Sequence, residues 1–210
     1  MTPNPSFAIV LLAAGESERM KRPKALLDWH GLPLAQYQLQ QAQATSAGRI
    51  VVVLGHEAGR VVRAVEESVD PARTLVVVNE DYRAGKTSSI TRGLRALVKP
   101  TDAMLILAVD QPRPAAILAR LAAEHVHLRP AITMPIFRGA SGHPPVFDAA
   151  LWPELLAIDE ATLGLRAVVE RHRAEVHELP FEDSIVMTNL NTRASYRRAK
   201  SIWDVRSGAG

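Results

Sequence analysis

The feature that most constrains the fold is a series of short apolar runs separated by segments of helical length. The runs are rich in Val, Ile and Leu and lack polar alternation, which is typical of parallel strands buried on both faces. Between them, apolar residues recur at helical spacing, as at Ile90, Leu94, Leu97 and Val98. Strands that alternate with helices predict an α/β fold, with a mostly parallel sheet and helices on both faces. The predicted strands are Phe7–Leu12, Ile50–Leu54, Leu75–Val78, Met104–Val109 and Ala131–Ile136.

The rhythm changes after the last of these runs. The segment 138–145 holds two Gly and two Pro, which predicts a loop that returns to the sheet through the apolar stub Val146–Phe147. A length of 210 residues favours one domain over 1–210, with its core at about 7–200 and a flexible tail at 204–210. The further helices are predicted at Ile117–Leu128, Leu151–Ile158, Leu163–His172 and Thr192–Trp203.

Composition excludes several classes of function. The 25 Lys and Arg against 22 Asp and Glu give a net charge of +3 with no concentrated basic stretch, which favours small anionic ligands over nucleic acid. The absence of cysteine excludes a disulfide framework, a thiolate metal cluster and a cysteine nucleophile. The apolar run Phe7–Ala14 is too short to cross a bilayer and has no charged leader before it. We therefore expect a cytoplasmic protein that does not bind membranes.

The first strand leads into a candidate phosphate-binding loop. Leu12 is followed by the small residues Ala13, Ala14 and Gly15, and four cations then lie within the six positions 19–24. Small side chains let backbone N–H groups approach an anion, and nearby cations neutralise phosphate oxygens. The alternative is an ordinary turn with a solvated basic rim. A dinucleotide-binding signature is not present, because the loop has a single glycine.

The tripeptide Gly85-Lys86-Thr87 matches the end of the phosphate-binding loop of NTPases. The leading glycine of that motif would fall at Glu80, and Glu80 and Asp81 would repel phosphates. We therefore reject the motif, although residues 85–89 can still contact a nucleotide through amides and hydroxyls at a helix start.

Polar residues beyond the other apolar runs are further candidates. Asp110 directly follows the fourth apolar run. A carboxylate at the end of a buried parallel strand faces the ligand crevice and is suited to bind Mg²⁺. The alternative is that Asp110 caps the next helix. Asn189 or Asn191 can supply a neutral oxygen to the same cation or cap a helix. His143 is either a substrate contact or a turn residue.

Together these motifs resemble the MobA-like nucleotidyltransferases, and within them most closely the molybdenum cofactor cytidylyltransferases. The likeness covers about residues 7–200. Its elements, in order, are Leu12-Ala13-Ala14-Gly15 with Arg19-Met20 and Lys24, then Asn79-x-x-Tyr82-x-x-Gly85 with Ser88-Ser89, Asp110-x-Pro112, Gly142-His143-Pro144 and Asn189-Leu190-Asn191-Thr192.

The resemblance implies a Rossmann-like fold of the nucleotide-diphospho-sugar transferase type. It implies an enzyme that uses an NTP and Mg²⁺ to transfer a nucleotidyl group to a phosphorylated acceptor with release of pyrophosphate, most specifically in molybdenum cofactor cytidylyl transfer. Ala13-Ala14 favours CTP over GTP, and a molybdoenzyme is an expected partner. A sugar phosphate acceptor remains an alternative. The neutral Asn189 and Asn191 keep open a nucleotide-binding regulatory module without turnover.

The resemblance also assigns roles to residues. It implies catalytic roles for Arg19, Lys24 and Asp110, and metal binding by Asp110 and Asn191. The acceptor would contact Gly142, His143 and Arg166. The nucleotide would contact Leu12, Ala13, Ala14, Gly15, Arg19, Lys24, Gly55, Asn79, Gly85, Ser88 and Ser89.

Overall fold

A mixed sheet of eight strands forms the centre of the computed structural model, which describes residues 6–17, 20, 22–98 and 101–206, with the backbone alone for 204–206. Its strands are β1 (Phe7–Ala13), β4 (Arg49–Leu54), β5 (Thr74–Val78), β6 (Ala103–Ala108), β7 (Ile132–Phe137), β8 (Ala140–Ser141), β9 (Val146–Asp148) and β10 (Val176–Pro180), and β2 (Asp28–Trp29) pairs separately with β3 (Leu32–Pro33). The order is β10-β7-β9-β6-β1-β4-β5, with β8 on β7. All neighbours pair in parallel except the short β8 and β9, which run antiparallel.

Helices cover both faces of the sheet. They are α1 (Leu34–Gln43), α2 (Ala58–Val65), α3 (Lys86–Ala96), α4 (Ala115–Leu128), α5 (Trp152–Leu156), α6 (Leu165–Arg171) and α7 (Arg193–Arg206). Successive residues of β1 point to opposite faces, so Ile9 packs with α1, α2 and α4, whereas Val10 packs with α3, α5 and α6. The predicted α/β class and the mostly parallel sheet are confirmed.

The five predicted strands end within one residue of the observed ones, but other predictions need correction. The stub Val146–Phe147 belongs to β9, which lies between β6 and β7. Strand β10 was not predicted, because its sequence contains only two large apolar residues, Val176 and Leu179, and forms no apolar run. Val98 does not extend the apolar face of α3, since the helix ends at Ala96 and Val98 is 90% exposed.

The later helices also differ from the prediction. Helices α5 and α6 are shorter than the predicted segments, and α7 continues to Arg206, so residues 204–206 of the expected tail are helical. Residues 207–210 lie outside the described residues. Within the part of the chain that the structure describes, no helix has the length and apolar character needed to cross a membrane.

Helix α7 packs against the β2–β3 hairpin. The indole rings of Trp29 and Trp203 meet edge to face with centroids 5.3 Å apart, and the Tyr196 hydroxyl donates to the Asp28 carbonyl oxygen. This contact fixes the start of α7, and with it the segment 188–191 that precedes the helix.

Candidate active site

The carboxyl ends of β1, β4 and β6 meet at one edge of the sheet. The Leu12 carbonyl oxygen accepts from the Val109 amide at 2.9 Å, and the Ala14 carbonyl oxygen accepts from the His56 amide at 2.9 Å. A Cβ on Gly55 would lie 2.7 Å from the Ala14 carbonyl oxygen, so only glycine allows this approach. These contacts hold the first turn open as the floor of a cavity.

The cavity has a volume of about 290 Å³ and lies beyond these strand ends. Many residues assigned to the nucleotide line it, whereas Gly55, Asn79 and Ser88 lie behind the lining and support it. The Asn79 amide nitrogen donates to the hydroxyls of Ser88 and Ser89, at 2.9 Å and 3.0 Å, and so fixes the start of α3. The lining residues include Leu12, Ala13, Ala14, Gly15, Lys24, Tyr82, Gly85, Lys86, Ser89 and Asp110.

Three of the predicted residues converge at the rim of this cavity. The Lys24 ammonium lies 2.6 Å from Asp110 Oδ2 and 2.6 Å from Asn191 Oδ1. The side chains of Lys24 and Asp110 are 14% and 19% exposed. The Leu190 amide donates to the Asp110 carbonyl oxygen at 2.8 Å, which brings Asn191 beside Asp110. A carboxylate, a neutral amide oxygen and a cation thus share one partly buried position.

The same geometry tests whether a metal ion fits. Both oxygens reach one cation position, which the Lys24 ammonium fills here. No cluster of three His, Cys, Asp or Glu able to hold a metal is present among the described residues. Two protein oxygens are the type and number of ligands that Mg²⁺ uses when substrate phosphates and water complete its coordination. The residues therefore fit Mg²⁺ bound together with a nucleotide.

The predictions for Arg19 and Asn189 are not confirmed at the carboxyl ends of the strands. Arg19 lies outside the described residues, so its contact with phosphate stays a prediction. Asn189 lines a separate surface cavity beside α7, whereas Asn191 binds the Lys24 ammonium that also contacts Asp110.

The start of α3 already carries an anionic partner. Gly85 has a φ of +112°, and the Lys86 amide that follows it donates to Glu160 Oε1 at 2.5 Å. A helix N-terminus favours negative charge, which is the reason a carboxylate binds there. The rejected NTPase motif therefore forms no phosphate-binding loop, because Glu160 holds its central amide.

A second cavity of about 360 Å³ adjoins the first and contains two of the three residues assigned to the acceptor. His143 and Arg166 line it, whereas Gly142 lies behind it, where a Cβ would come within 2.7 Å of the Val186 carbonyl oxygen. The apolar part of the lining consists of Ile90, Ile106, Met134, Pro145, Leu163, Leu165 and Val169.

Partial desolvation of the His143 ring, together with the positive charges of Lys86 and Arg113, lowers the pKa of His143 to about 4. The imidazole is therefore neutral at pH 7 and acts there as a hydrogen-bonding group.

Lys86 was missed as a site residue by sequence reasoning. Lys86 lines both cavities. Rejection of the NTPase motif gave Lys86 no role, although it directly follows Gly85, a predicted nucleotide contact. The available signal was a lysine at a helix start next to a predicted nucleotide contact.

Comparisons with known proteins identify relatives of the chain and of its fold. The chain is 31% identical over 177 residues to the nicotine blue oxidoreductase of Paenarthrobacter nicotinovorans, which covers 80% of this chain and 83% of that protein. It is 26% identical to the bifunctional protein GlmU of Clavibacter sepedonicus, over 97% of this chain and 50% of the relative. The chain thus spans half the length of this GlmU relative. It spans a smaller share of other GlmU proteins.

A solved structure gives the same fold over nearly the whole chain. The Rv0371c protein of Mycobacterium tuberculosis H37Rv superposes with a TM-score of 0.78 at 25% identity, covering 96% of this chain and 100% of that one. Residues 9–176 match the MobA-like NTP transferase domain, a span that includes most of β1, the first turn, Lys24 and Asp110. The chain belongs to the MobA-like NTP transferase family.

Proposed function

We propose that this protein is a Mg²⁺-dependent nucleotidyltransferase that transfers a nucleoside monophosphate from an NTP to a phosphorylated small molecule, with release of pyrophosphate. The observation that carries the proposal is the convergence of Lys24, Asp110 and Asn191 at the rim of the cavity above β1. These residues combine the cation and oxygen ligands that triphosphate chemistry needs.

The proposed nucleotide position is the cavity of the first turn. The triphosphate would extend toward Lys24 and Arg19, and the base and ribose would lie against residues 12–15. Mg²⁺, held by Asp110 and Asn191, would neutralise charge on the phosphates during transfer. Ala13 and Ala14 support CTP as the favoured nucleotide over GTP.

The acceptor would occupy the second cavity. An acceptor phosphate has its second pKa near 6 and is anionic at pH 7, so its oxygen needs no strong base to attack the α-phosphorus. A new phosphorus–oxygen bond forms as the bond from the α-phosphorus to the bridging oxygen breaks, and pyrophosphate leaves. Arg166 at the rim is suited to bind the acceptor phosphate, and the neutral His143 to donate or accept a hydrogen bond.

The most specific form of the proposal is cytidylyl transfer to the molybdenum cofactor in the cytoplasm, with a molybdoenzyme receiving the product. The apolar lining of the second cavity supports an acceptor with a sizeable ring system in addition to its phosphate. The manganese complex of the Rv0371c protein supports a divalent metal in this fold. A sugar phosphate would use the same chemistry and is the alternative acceptor.

The first test measures pyrophosphate release with each of the four NTPs, with Mg²⁺ or a chelator, and with phosphorylated acceptors that include the molybdenum cofactor. Asp110→Asn should reduce the rate by about 10²–10³, the usual cost of losing a preorganised charged contact. Asp102→Asn is the matched control, because it makes the same substitution at the other end of β6. Asp102 precedes this strand, whereas Asp110 follows it at the end where the cavity lies. Wild-type rates in Asp110→Asn would remove Asp110 from catalysis.

The same assay separates the proposal from a regulatory module. Metal-dependent nucleotide binding without pyrophosphate release on any acceptor would favour regulation.

The name of the Paenarthrobacter nicotinovorans relative favours one second candidate, an oxidoreductase. A titration with reduced nicotinamide cofactors decides this point, because an oxidoreductase of that type would bind the cofactor and change its absorbance. We expect no binding, since the first turn has a single glycine where a dinucleotide site uses three.

A further inference from the structure

Arg113 is a buried cation that the proposed chemistry does not use. Its side chain is fully buried, and Asp110 and Asp183 act on its charge without lying within ion-pair distance of it among the described residues. Burying an isolated charge is costly, and an apolar side chain of similar volume often stabilises a core as well or better. Arginine at this position therefore calls for a reason other than stability.

Each nitrogen of the Arg113 guanidinium donates to backbone carbonyl oxygens of other segments. Nε donates to His143 at 2.8 Å, and one terminal nitrogen donates to Val186 at 2.8 Å. Both terminal nitrogens donate to Thr188 at 3.1 Å, and one of them also reaches the Pro112 carbonyl at 2.8 Å. The planar fork thus joins the loop of the second cavity to the segment that leads to Asn191.

Two backbone contacts extend this link to the proposed metal ligands. The His143 amide donates to the Val186 carbonyl oxygen at 2.9 Å, and the Leu190 amide donates to the Asp110 carbonyl oxygen at 2.8 Å. Asn191 is therefore placed beside Asp110 by a segment whose carbonyls at Val186 and Thr188 are held by Arg113.

We propose that Arg113 is a positioning residue that sets Asn191 against Asp110 and, through the same guanidinium, sets His143 in the second cavity. This inference rests on the proposed function for the role of Asn191 and Asp110. Partners that orient metal ligands without touching the metal are worth about 10–100-fold in metal affinity. The positive charge of Arg113 also contributes to the lowered pKa of His143, which keeps that imidazole neutral.

The test uses Arg113→Lys, which keeps the charge but loses the fork, and Arg113→Met, which loses both. Calorimetry measures the affinity for CTP with a chelator and with Mg²⁺. We expect the tightening caused by Mg²⁺ to fall about 10–100-fold in both variants, and affinity without metal to stay within about twofold of wild type. In an Asn191→Ala background, Arg113→Lys should add no further loss, because both changes remove one interaction.

Thr133→Val is the matched control for lost stability, because Thr133 is also fully buried and bonds only at a distance from the site, to His125. Lower thermal stability with unchanged Mg²⁺ linkage in the Arg113 variants would overturn the proposal, as would an additive loss with Asn191→Ala. Either result would make Arg113 merely structural.

A second readout needs no metal. Hydrogen exchange at the amides of His143 and Leu190 should be faster in Arg113→Lys and unchanged in Thr133→Val. Absence of metal-linked binding in the wild type would contradict the proposed function, whereas unchanged exchange in Arg113→Lys would contradict the positioning role itself.

Discussion

At the scale of single residues, Gly55 shows how a missing methyl group shapes the nucleotide cavity. A Cβ at this position would lie 2.7 Å from the Ala14 carbonyl oxygen and 2.7 Å from the Tyr82 Cβ. Ala14 and Tyr82 both line the cavity, so their separation sets its width. Any larger residue at position 55 must push one wall away from the other.

Gly55→Ala should therefore lower the free energy of unfolding by about 1–3 kcal/mol, the usual cost of overpacking, and weaken CTP binding. Gly15→Ala is the control for stability, because a Cβ there has no neighbouring atom within 4 Å. Urea unfolding measures the first effect and calorimetry the second. Equal free energies of unfolding in the two variants would show that Ala14 and Tyr82 can move apart without loss of stability.

Residue-scale prediction succeeded where local sequence determines position. Asp110 could be predicted because it follows a buried apolar run, and the strand end fixes where its side chain lies. Which of the two asparagines shares the Lys24 ammonium with Asp110 depends on the packing of the segment before α7, and the sequence pattern alone left both open. Arg113 was not predicted, because nothing local distinguishes it from a surface arginine before a helix.

At the scale of elements, α3 links the sheet to both cavities, and its distance from the sheet depends on Gly93. A Cβ on Gly93 would lie 2.5 Å from Val10 Cγ1 and 2.8 Å from Val53 Cγ2. Valine side chains have few alternative rotamers, so they cannot move aside easily. The helix can therefore lie this close to β1 and β4 only with glycine at the contact.

Gly93→Ala tests this contact by the sign of its effect. Helix propensity alone would stabilise the variant by about 1 kcal/mol, whereas overpacking costs about 1–3 kcal/mol. We expect net destabilisation in urea unfolding, partly relieved in Gly93→Ala/Val10→Ala because the second change makes room. Arg95→Ala, on the exposed side of α3, should stay within about 0.5 kcal/mol of wild type. A stabilised Gly93→Ala would contradict the close contact.

The elements that sequence patterns predicted well are those with long apolar runs, which leave little choice of structure. Strands β1, β4, β6 and β7 have such runs and are mostly buried, and the edge strand β5 has one although only Thr74 in it is buried. Strands β9 and β10 are short or lie at an edge, so their sequences carry few apolar residues, and their pairing depends on chain segments far away. Their positions could not follow from local pattern.

At the scale of the whole molecule, a buried histidine makes folding sensitive to acid. His125 is 1% exposed, and its Nδ1 lies 2.9 Å from the Thr133 hydroxyl. Burial lowers the pKa of His125 to about 4. A histidine of the unfolded chain titrates near pH 6.5, so below that pH the unfolded state takes up protons that the folded state does not.

Stability should therefore fall as the pH is lowered from about 6.5 toward 4, and His125 alone should account for about 2 kcal/mol of the loss by about pH 5. His125→Gln should lose about that much less than wild type between neutral pH and about pH 5, measured by urea unfolding at both. His127→Gln, on the exposed side of the same helix, should follow the wild type. An unchanged pH dependence in His125→Gln would show that His125 is protonated in the folded state.

The position of the site beyond the strand ends separates two ways in which this protein can fail. Lys24, Asp110 and Asn191 lie on connecting segments, whereas the paired strands hold the apolar interior. Connecting segments open at a lower free energy than a central sheet does. Warming should thus disable turnover before circular dichroism registers any change, and a preparation can look native by spectroscopy while already inert.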